Sequence, residues 1–266
     1  MPVRERKSFL YPDDPSTGDR RPPRILVVGV GALGCPAAEI LAADGGVSCT
    51  LIDDDRVETS NLQRQILFDN QAVGRPKARA AAAALEHRFP DTHIVYLDTR
   101  FAADNACQLV DEHDFVIDAC DDPITKLLIN QTCVATGTPF VYGGVMRTGG
   151  QTMSVAPGAS ACLACIFPVL TDPAASGSGD DDAESCSRMG ILAPVAGVVG
   201  SMQALATLET LAGRGRPGRM HIYELRGARW RSVDFDPRPG CPVCDRPATR
   251  RHTEDDKPRR QETCPT

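Results

Sequence analysis

No uninterrupted apolar run in this sequence is long enough to span a membrane. There is no excess of positive charge either. The net charge is -6 over 266 residues, which argues against a nucleic-acid binder. The N-terminus has basic residues but not the apolar stretch that follows them in a secretory signal, so no signal is expected. The expected location is the cytoplasm. One glycine-rich turn is present, but it lacks the Gly-Lys-Ser/Thr ending of a P-loop, so cations at any phosphate must come from elsewhere in the chain. No internal repeat is found. The length fits one large α/β domain or two small ones.

The most informative stretch runs from Ile25 to Lys77. Ile25-Leu26-Val27-Val28 is a short apolar run of the kind that forms a buried parallel strand. Gly29-Val30-Gly31-Ala32-Leu33-Gly34 follows, a G-x-G-x-x-G turn that leads into a helix. Its glycines allow a tight turn and a close approach to phosphate, and the helix N-terminus presents free N–H groups. A second strand over residues 48–53 ends at Asp53, placed to accept hydrogen bonds from a ribose. Alone, the turn means a nucleotide, and by default a dinucleotide such as NAD. Arg64 and Lys77 change that reading, because two cations beside a glycine turn suit a triphosphate.

The rest of the chain alternates strands and helices up to Gly144. Helices are expected over residues 31–43, 76–89, 103–112 and 123–135, and strands over 93–97, 114–118 and 140–143. That alternation predicts a Rossmann-like, mostly parallel sheet with helices on both faces. The pattern then changes. A strand at 151–156, a long apolar helix at 194–212 and a hairpin over 220–225 and 230–235 predict an antiparallel extension. Residues 171–188 are Gly-, Ser- and Asp-rich and are expected to form a mobile loop. The first 23 residues are polar and Pro-containing and are expected to be an arm without regular structure. The chain turns polar and charged near Asp245 and is expected to end in a disordered tail.

Eleven cysteines in such a chain point to thiols or metal ligands rather than a disulfide framework. Cys162-x-x-Cys165 and Cys241-x-x-Cys244 match the ligand spacing of a tetrahedral structural zinc, which would tie the end of the chain to its middle. The competing reading is two redox pairs. Asp121, just past the strand at 114–118, can hold magnesium against ATP phosphates. Alternatively Asp121 or Asp122 caps the helix that begins at Pro123, and Asp118 is a weaker magnesium candidate. Cys186, beside Arg188 in the expected mobile loop, is a candidate nucleophile. Cys35, Cys49, Cys107, Cys120 and Cys133 are assigned to core packing.

The glycine turn, Asp53-Asp54-Asp55, Ser60-Asn61-Leu62-Gln63-Arg64-Gln65 and Arg75-Pro76-Lys77 together resemble the ThiF/MoeB/HesA family, bacterial relatives of ubiquitin-activating enzymes. The resemblance covers about residues 24–244. It implies ATP-dependent adenylation of the C-terminal glycine of a small ubiquitin-like carrier protein ending in Gly-Gly. Arg64, Lys77 and Asp121 would be catalytic, and Gly29, Gly31, Gly34, Asp53, Asn61 and Gln65 would bind nucleotide. The family also implies magnesium, zinc on Cys162, Cys165, Cys241 and Cys244, and a homodimer. A sulfurtransferase or cysteine desulfurase is implied as sulfur donor, with Cys186 taking the activated glycine or the sulfur. Residues 24–245 would be the adenylation domain. Asp53–Asp55 and Gly240–Cys244 lean toward the thiamine-pathway branch. The N-terminal Arg-Tyr-x-Arg-Gln motif of the family is missing, and Arg4 and Arg6 are the substitutes at hand. Two other classes compete: an NAD(P)-dependent oxidoreductase, and a peptide-modifying or non-catalytic relative of the family.

Overall fold

Both faces of the first strand are apolar, and that dictates the architecture. In β1 (Arg24–Val28), Ile25 and Val27 join one hydrophobic cluster while Leu26 and Val28 join another. A strand without a polar face has to be covered on both sides. The computed structural model describes residues 21–168 and 190–245. Most of the expected arm, the tail and the loop holding Cys186 lie outside those residues.

In chain order, α1 (Gly34–Asp44), β2 (Ser48–Ile52), α2 (Lys77–Arg88), β3 (Ile94–Leu97), α3 (Ala106–Asp111), β4 (Phe115–Asp118), α4 (Pro123–Thr136) and β5 (Phe140–Met146) follow β1. Then come β6 (Gly149–Val155), the one-turn α5 (Leu163–Ile166), α6 (Ala193–Leu211), β7 (Arg219–Glu224) and β8 (Arg229–Asp234). One eight-stranded sheet results, in the order β3-β2-β1-β4-β5-β6-β7-β8. The pairs from β3 to β5 are parallel, and those from β5 to β8 are antiparallel. This is the α/β sheet with an antiparallel extension that the sequence predicts. Helices α1, α2 and α6 supply one core cluster, and α3 and α4 the other.

The strand order reverses between β1 and β4. In open α/β sheets, such a switch point opens a crevice at the carboxyl ends of the strands, where ligands bind. The glycine turn after β1 and the Asp121 turn after β4 both sit there.

Three boundaries lie three residues from expectation. Helix α1 starts at Gly34, because residues 29–33 form the turn itself. Helix α3 starts at Ala106, because the Asn105 side chain accepts from the Ala102 N–H at 2.9 Å and closes a separate turn first. Strand β5 runs on through Gly143 and Gly144 to Met146 and pairs with β6. Glycine disfavours strands in general, but here it makes room: a Cβ on Gly143 would lie 2.5 Å from the Gln203 side chain of α6. No helix among the described residues is long and apolar enough to cross a membrane.

Candidate active site

Three chains of contact converge on the glycine turn. The first runs through Asp53. Its Oδ2 accepts from the Val30 N–H at 2.7 Å and its Oδ1 from the Asp55 N–H at 2.9 Å, so it fastens the end of β2 to the turn. Burial pushes its pKa up, against the two backbone donors and Lys77. Each oxygen keeps acceptor capacity for a ribose hydroxyl. Asp55 in turn accepts from Lys77 Nζ at 2.6 Å. The Lys77 side chain is only 9% exposed, whereas that of Asp55 is 68% exposed. A lysine in the first turn of a helix faces an unfavourable dipole. Asp55 is the anion that compensates, and it leaves two of the ammonium's three N–H donors for phosphate.

The second chain is the turn over residues 59–65. Asn61 is buried, and its Oδ1 accepts from the Glu58 N–H at 3.2 Å, which closes a capping box. Gln65 is also buried, and its Oε1 has no hydrogen-bond partner among the described residues. Its Nε2 lies 3.8 Å from where a Gly31 Cβ would stand. Half-buried Arg64 donates from Nη1 to the Ser60 carbonyl at 2.9 Å, which leaves most of its guanidinium donors open.

The glycines divide the work. Gly29 has φ +90°, and a Cβ there would lie 2.9 Å from the Ala119 carbonyl oxygen. A Cβ on Gly34 would collide with the Gly29 carbonyl. Around Gly31 nothing comes closer than that 3.8 Å contact, so this glycine leaves backbone open to an incoming phosphate. Helix α1 has no side-chain cap, but the Cys35 N–H already donates to the Gly31 carbonyl at 3.0 Å and Pro36 has no N–H, so any open donors at this end lie before Cys35.

The third chain runs from Gly29 through Ala119 to Asp121. Of the two aspartates that could cap α4, Asp122 does so. It accepts from the Thr125 N–H at 2.9 Å and Thr125 Oγ1 at 2.7 Å. Burial would raise its pKa, but these bonds and Arg100 hold it low. Asp121 is exposed and has no side-chain hydrogen bond among the described residues. An unengaged carboxylate beside a phosphate site fits a hard divalent cation such as magnesium. Asp118 does not fit that role, because it is fully buried and Lys126 Nζ stands 2.9 Å from its Oδ1.

Sequence reasoning overlooked Lys126. It donates to Asp118 and to the Gly143 carbonyl at 2.7 Å, and it lies 4.9 Å from the Tyr142 ring centre. Burial alone would lower its pKa, but Asp118 and its neighbours more than reverse this. One signal was available: like Lys77, it is a cation in a first helical turn behind a proline. Gln203 was overlooked too. Its Nε2 donates to the Asp118 carbonyl at 2.6 Å and ties α6 to the end of β4.

The four paired cysteines meet on the face of the sheet that α3 and α4 cover. Their sulfurs all lie within 4.8 Å of one another, with Cys162–Cys165 at 3.9 Å, Cys162–Cys241 at 3.8 Å and Cys165–Cys244 at 3.3 Å. Four thiolates at 2.3 Å from a tetrahedral zinc stand about 3.8 Å apart, so the set fits that ion. The Arg238 N–H donates to Cys165 Sγ at 3.3 Å, the kind of outer contact that steadies a ligand.

Cys35, Cys49 and Cys133 are buried, as expected of packing residues, and burial pushes the thiols of Cys35 and Cys49 up to about 12. Two others differ. Cys120 is half-buried in the turn after β4. Cys107 is half-buried on α3 and disulfide-bonded.

The ThiF family profile matches residues 18–243. The chain belongs to the ThiF family. It is 34% identical over 223 residues to the sulfur carrier protein ThiS adenylyltransferase of Escherichia coli, covering 83% of this chain and 85% of that protein. It is 31% identical over 261 residues to the sulfur carrier protein adenylyltransferase of Thermus thermophilus, covering 95% and 94%. The E. coli microcin C7 biosynthetic enzyme MccB in complex with N-formylated MccA superposes with TM-score 0.73 at 23% identity, over 84% of this chain and 67% of that one. That likeness speaks for the fold alone. The ThiF relatives named here are adenylyltransferases of sulfur-carrier proteins, the enzyme class that the sequence predicts.

Proposed function

We propose that residues 24–245 form an adenylation domain that activates the C-terminal glycine of a small ubiquitin-like sulfur-carrier protein, ThiS- or MoaD-like, with ATP. The observation that carries this reading is the convergence of open groups at one switch point: Gly31, Arg64, Lys77 and the unengaged Asp121. The carrier's glycine carboxylate attacks the α-phosphorus, a new O–P bond forms, the α–β bond breaks and pyrophosphate leaves. Positioning and charge neutralisation do most of the work in such a displacement. Arg64 and Lys77 neutralise phosphate charge, Asp53 receives the ribose, and Asn61 and Gln65 orient the reactants. Asp121 would hold magnesium, which supplies further positive charge at the phosphates. Cys186 serves a later step, acyl transfer or receipt of sulfur from a sulfurtransferase or cysteine desulfurase.

Zinc on the four cysteines stabilises the fold in this reading. A homodimer in the cytoplasm completes it. Leu192, which precedes α6, and Leu205, along it, are exposed apolar side chains, and that supports self-association. An NAD(P) oxidoreductase gives Arg64, Lys77 and the cysteine cluster nothing to do. The named carrier-activating relatives favour a carrier over a peptide substrate. The test is ATP–pyrophosphate exchange with a carrier ending in Gly-Gly and with the same carrier shortened by that dipeptide. Exchange with the first alone is expected. Exchange without any carrier, or with neither form, would overturn the reading.

A further inference from the structure

The turn between β4 and α4 is fastened at almost every residue except the one that matters for metal. Ala119 N–H donates to the Val28 carbonyl at 2.9 Å. Cys120 donates to Asp118 Oδ1 from its N–H at 3.3 Å and from its Sγ at 3.0 Å. Asp122 caps α4. Asp121 alone projects without a partner among the described residues.

The fastening depends on Asp118, and Asp118 depends on Lys126. The carboxylate is fully buried, and its Oδ2 has no hydrogen bond among the described residues. Its compensating charge is the Lys126 ammonium. That ammonium spends two of its three N–H donors, one on Asp118 and one on the Gly143 carbonyl, and it lies 4.9 Å from the Tyr142 ring centre. Lys77, by contrast, spends only one. A mostly buried cation held by two bonds, five residues after an exposed carboxylate, is a brace. Gln203 holds the same strand end from the other side through the Asp118 carbonyl.

We propose that the Lys126–Asp118 pair is a positioning device that aims Asp121 at the metal of the nucleotide site. In this role the pair fixes the turn from which Asp121 reaches out. The proposal rests on the adenylation reading and adds residues to it. Outer contacts of this kind are worth about 10–100-fold in metal affinity.

The test is calorimetric titration of ATP into the whole chain at a series of magnesium concentrations and in EDTA, without carrier. Lys126→Met is expected to raise the half-saturating magnesium concentration by about tenfold or more, with ATP affinity in EDTA changed by less than about twofold. Lys126→Arg, which keeps the charge and the donors, is expected to stay within about threefold of the unaltered protein. Lys126→Met leaves a buried carboxylate without its counter-charge, so its folding is at risk. The double variant Asp118→Asn with Lys126→Met removes both charges at nearly constant shape and is expected to show the same magnesium shift. A magnesium response unchanged in every folded variant, while Asp121→Asn loses it, overturns the brace and leaves the adenylation reading intact. Equal weakening of ATP binding with and without magnesium also overturns it, as that is the mark of a merely structural residue. ATP binding that ignores magnesium in the unaltered protein overturns both.

Discussion

The switch point and the cysteine cluster are sites built on opposite plans. At the switch point, charged groups keep unspent capacity: Asp121 has no partner among the described residues, Lys77 has one, and Arg64 gives a single bond to a carbonyl. In the cysteine cluster, four sulfurs face one another within 4.8 Å, and Cys162 and Cys241 are almost fully buried. An open site can take a substrate and release it; a closed one can only hold. The difference teaches where to look for chemistry and where for stability. It also separates two lysines that look alike in the sequence. Both follow a proline in a first helical turn and both pair with an aspartate, yet one spends a single donor and the other two.

The largest expected effect tests the open site. Arg64→Ala, Lys77→Ala and Asp121→Ala each remove one charge from the phosphate region. Each should cut carrier-dependent ATP–pyrophosphate exchange by roughly a hundredfold or more, since such contacts supply on the order of 3–4 kcal/mol at the transition state. Thermal unfolding of Asp121→Ala should be unchanged, because that side chain holds nothing in place. Cys186→Ala should leave exchange nearly intact and impair a later transfer. If Cys186→Ala abolished exchange as fully as Asp121→Ala with the fold intact, the separation of steps would be wrong.

The next effect tests the closed site, and it should be the mirror image. Cys241→Ser should lose the zinc, read as metal per chain, and lower Tm by on the order of 10 °C. Its exchange rate well below that Tm should stay within about fivefold of the unaltered protein. Low exchange at full stability in Cys241→Ser, or low stability at full exchange in Asp121→Ala, would break the contrast between the two plans.

The sequence shows the closed site more completely than the open one, for a physical reason. Ligands to a tetrahedral ion must come in closely spaced pairs, so C-x-x-C announces itself. The parallel sheet is equally legible, because a strand buried on both faces cannot hide its apolar run. At the open edge, roles depend on competition between neighbours. Asp121 and Asp122 are equivalent as letters, and only the hydrogen bonds of Thr125 show which of them is spent on the cap. The anion beside Lys77 is Asp55, 22 residues earlier. Lys126 gains its meaning from Gly143, 17 residues on, and Gln203 acts on Asp118 across 85 residues. No local pattern records such partnerships. Strand β5 looks short in the sequence because its glycines disfavour a strand, and only the Gln203 side chain of α6 explains the room they leave.

The smallest effect should come from neither site, and that sharpens the comparison further. His113, just before β4, lies at the opposite edge of the sheet from the switch point. One ring nitrogen meets the Leu109 carbonyl at 2.6 Å and the other the Thr50 hydroxyl at 2.8 Å. The carbonyl can only accept, so Nδ1 carries the proton and neutral Nε2 accepts from Thr50. Burial pulls the pKa of this ring below its ordinary 6.5, helped by Arg24 and opposed by the bond to Leu109. The unfolded chain then binds a proton at a higher pH than the folded one does. The stability that His113 contributes is complete above about pH 6.5 and is lost as pH falls toward the lowered folded value. His221 is shifted the same way, by burial and by Arg219, and needs the same control. Between about pH 7.5 and 5.5, the unaltered protein should lose a few °C more of Tm than His113→Gln does, with His221→Gln giving a smaller difference. Exchange measured well below Tm should follow the same pH curve in all three proteins, because neither ring touches the nucleotide edge. Equal acid losses of Tm in the unaltered protein and His113→Gln would remove His113 from the account. A pH curve of exchange that moved with His113→Gln would mean that the two edges of the sheet are coupled.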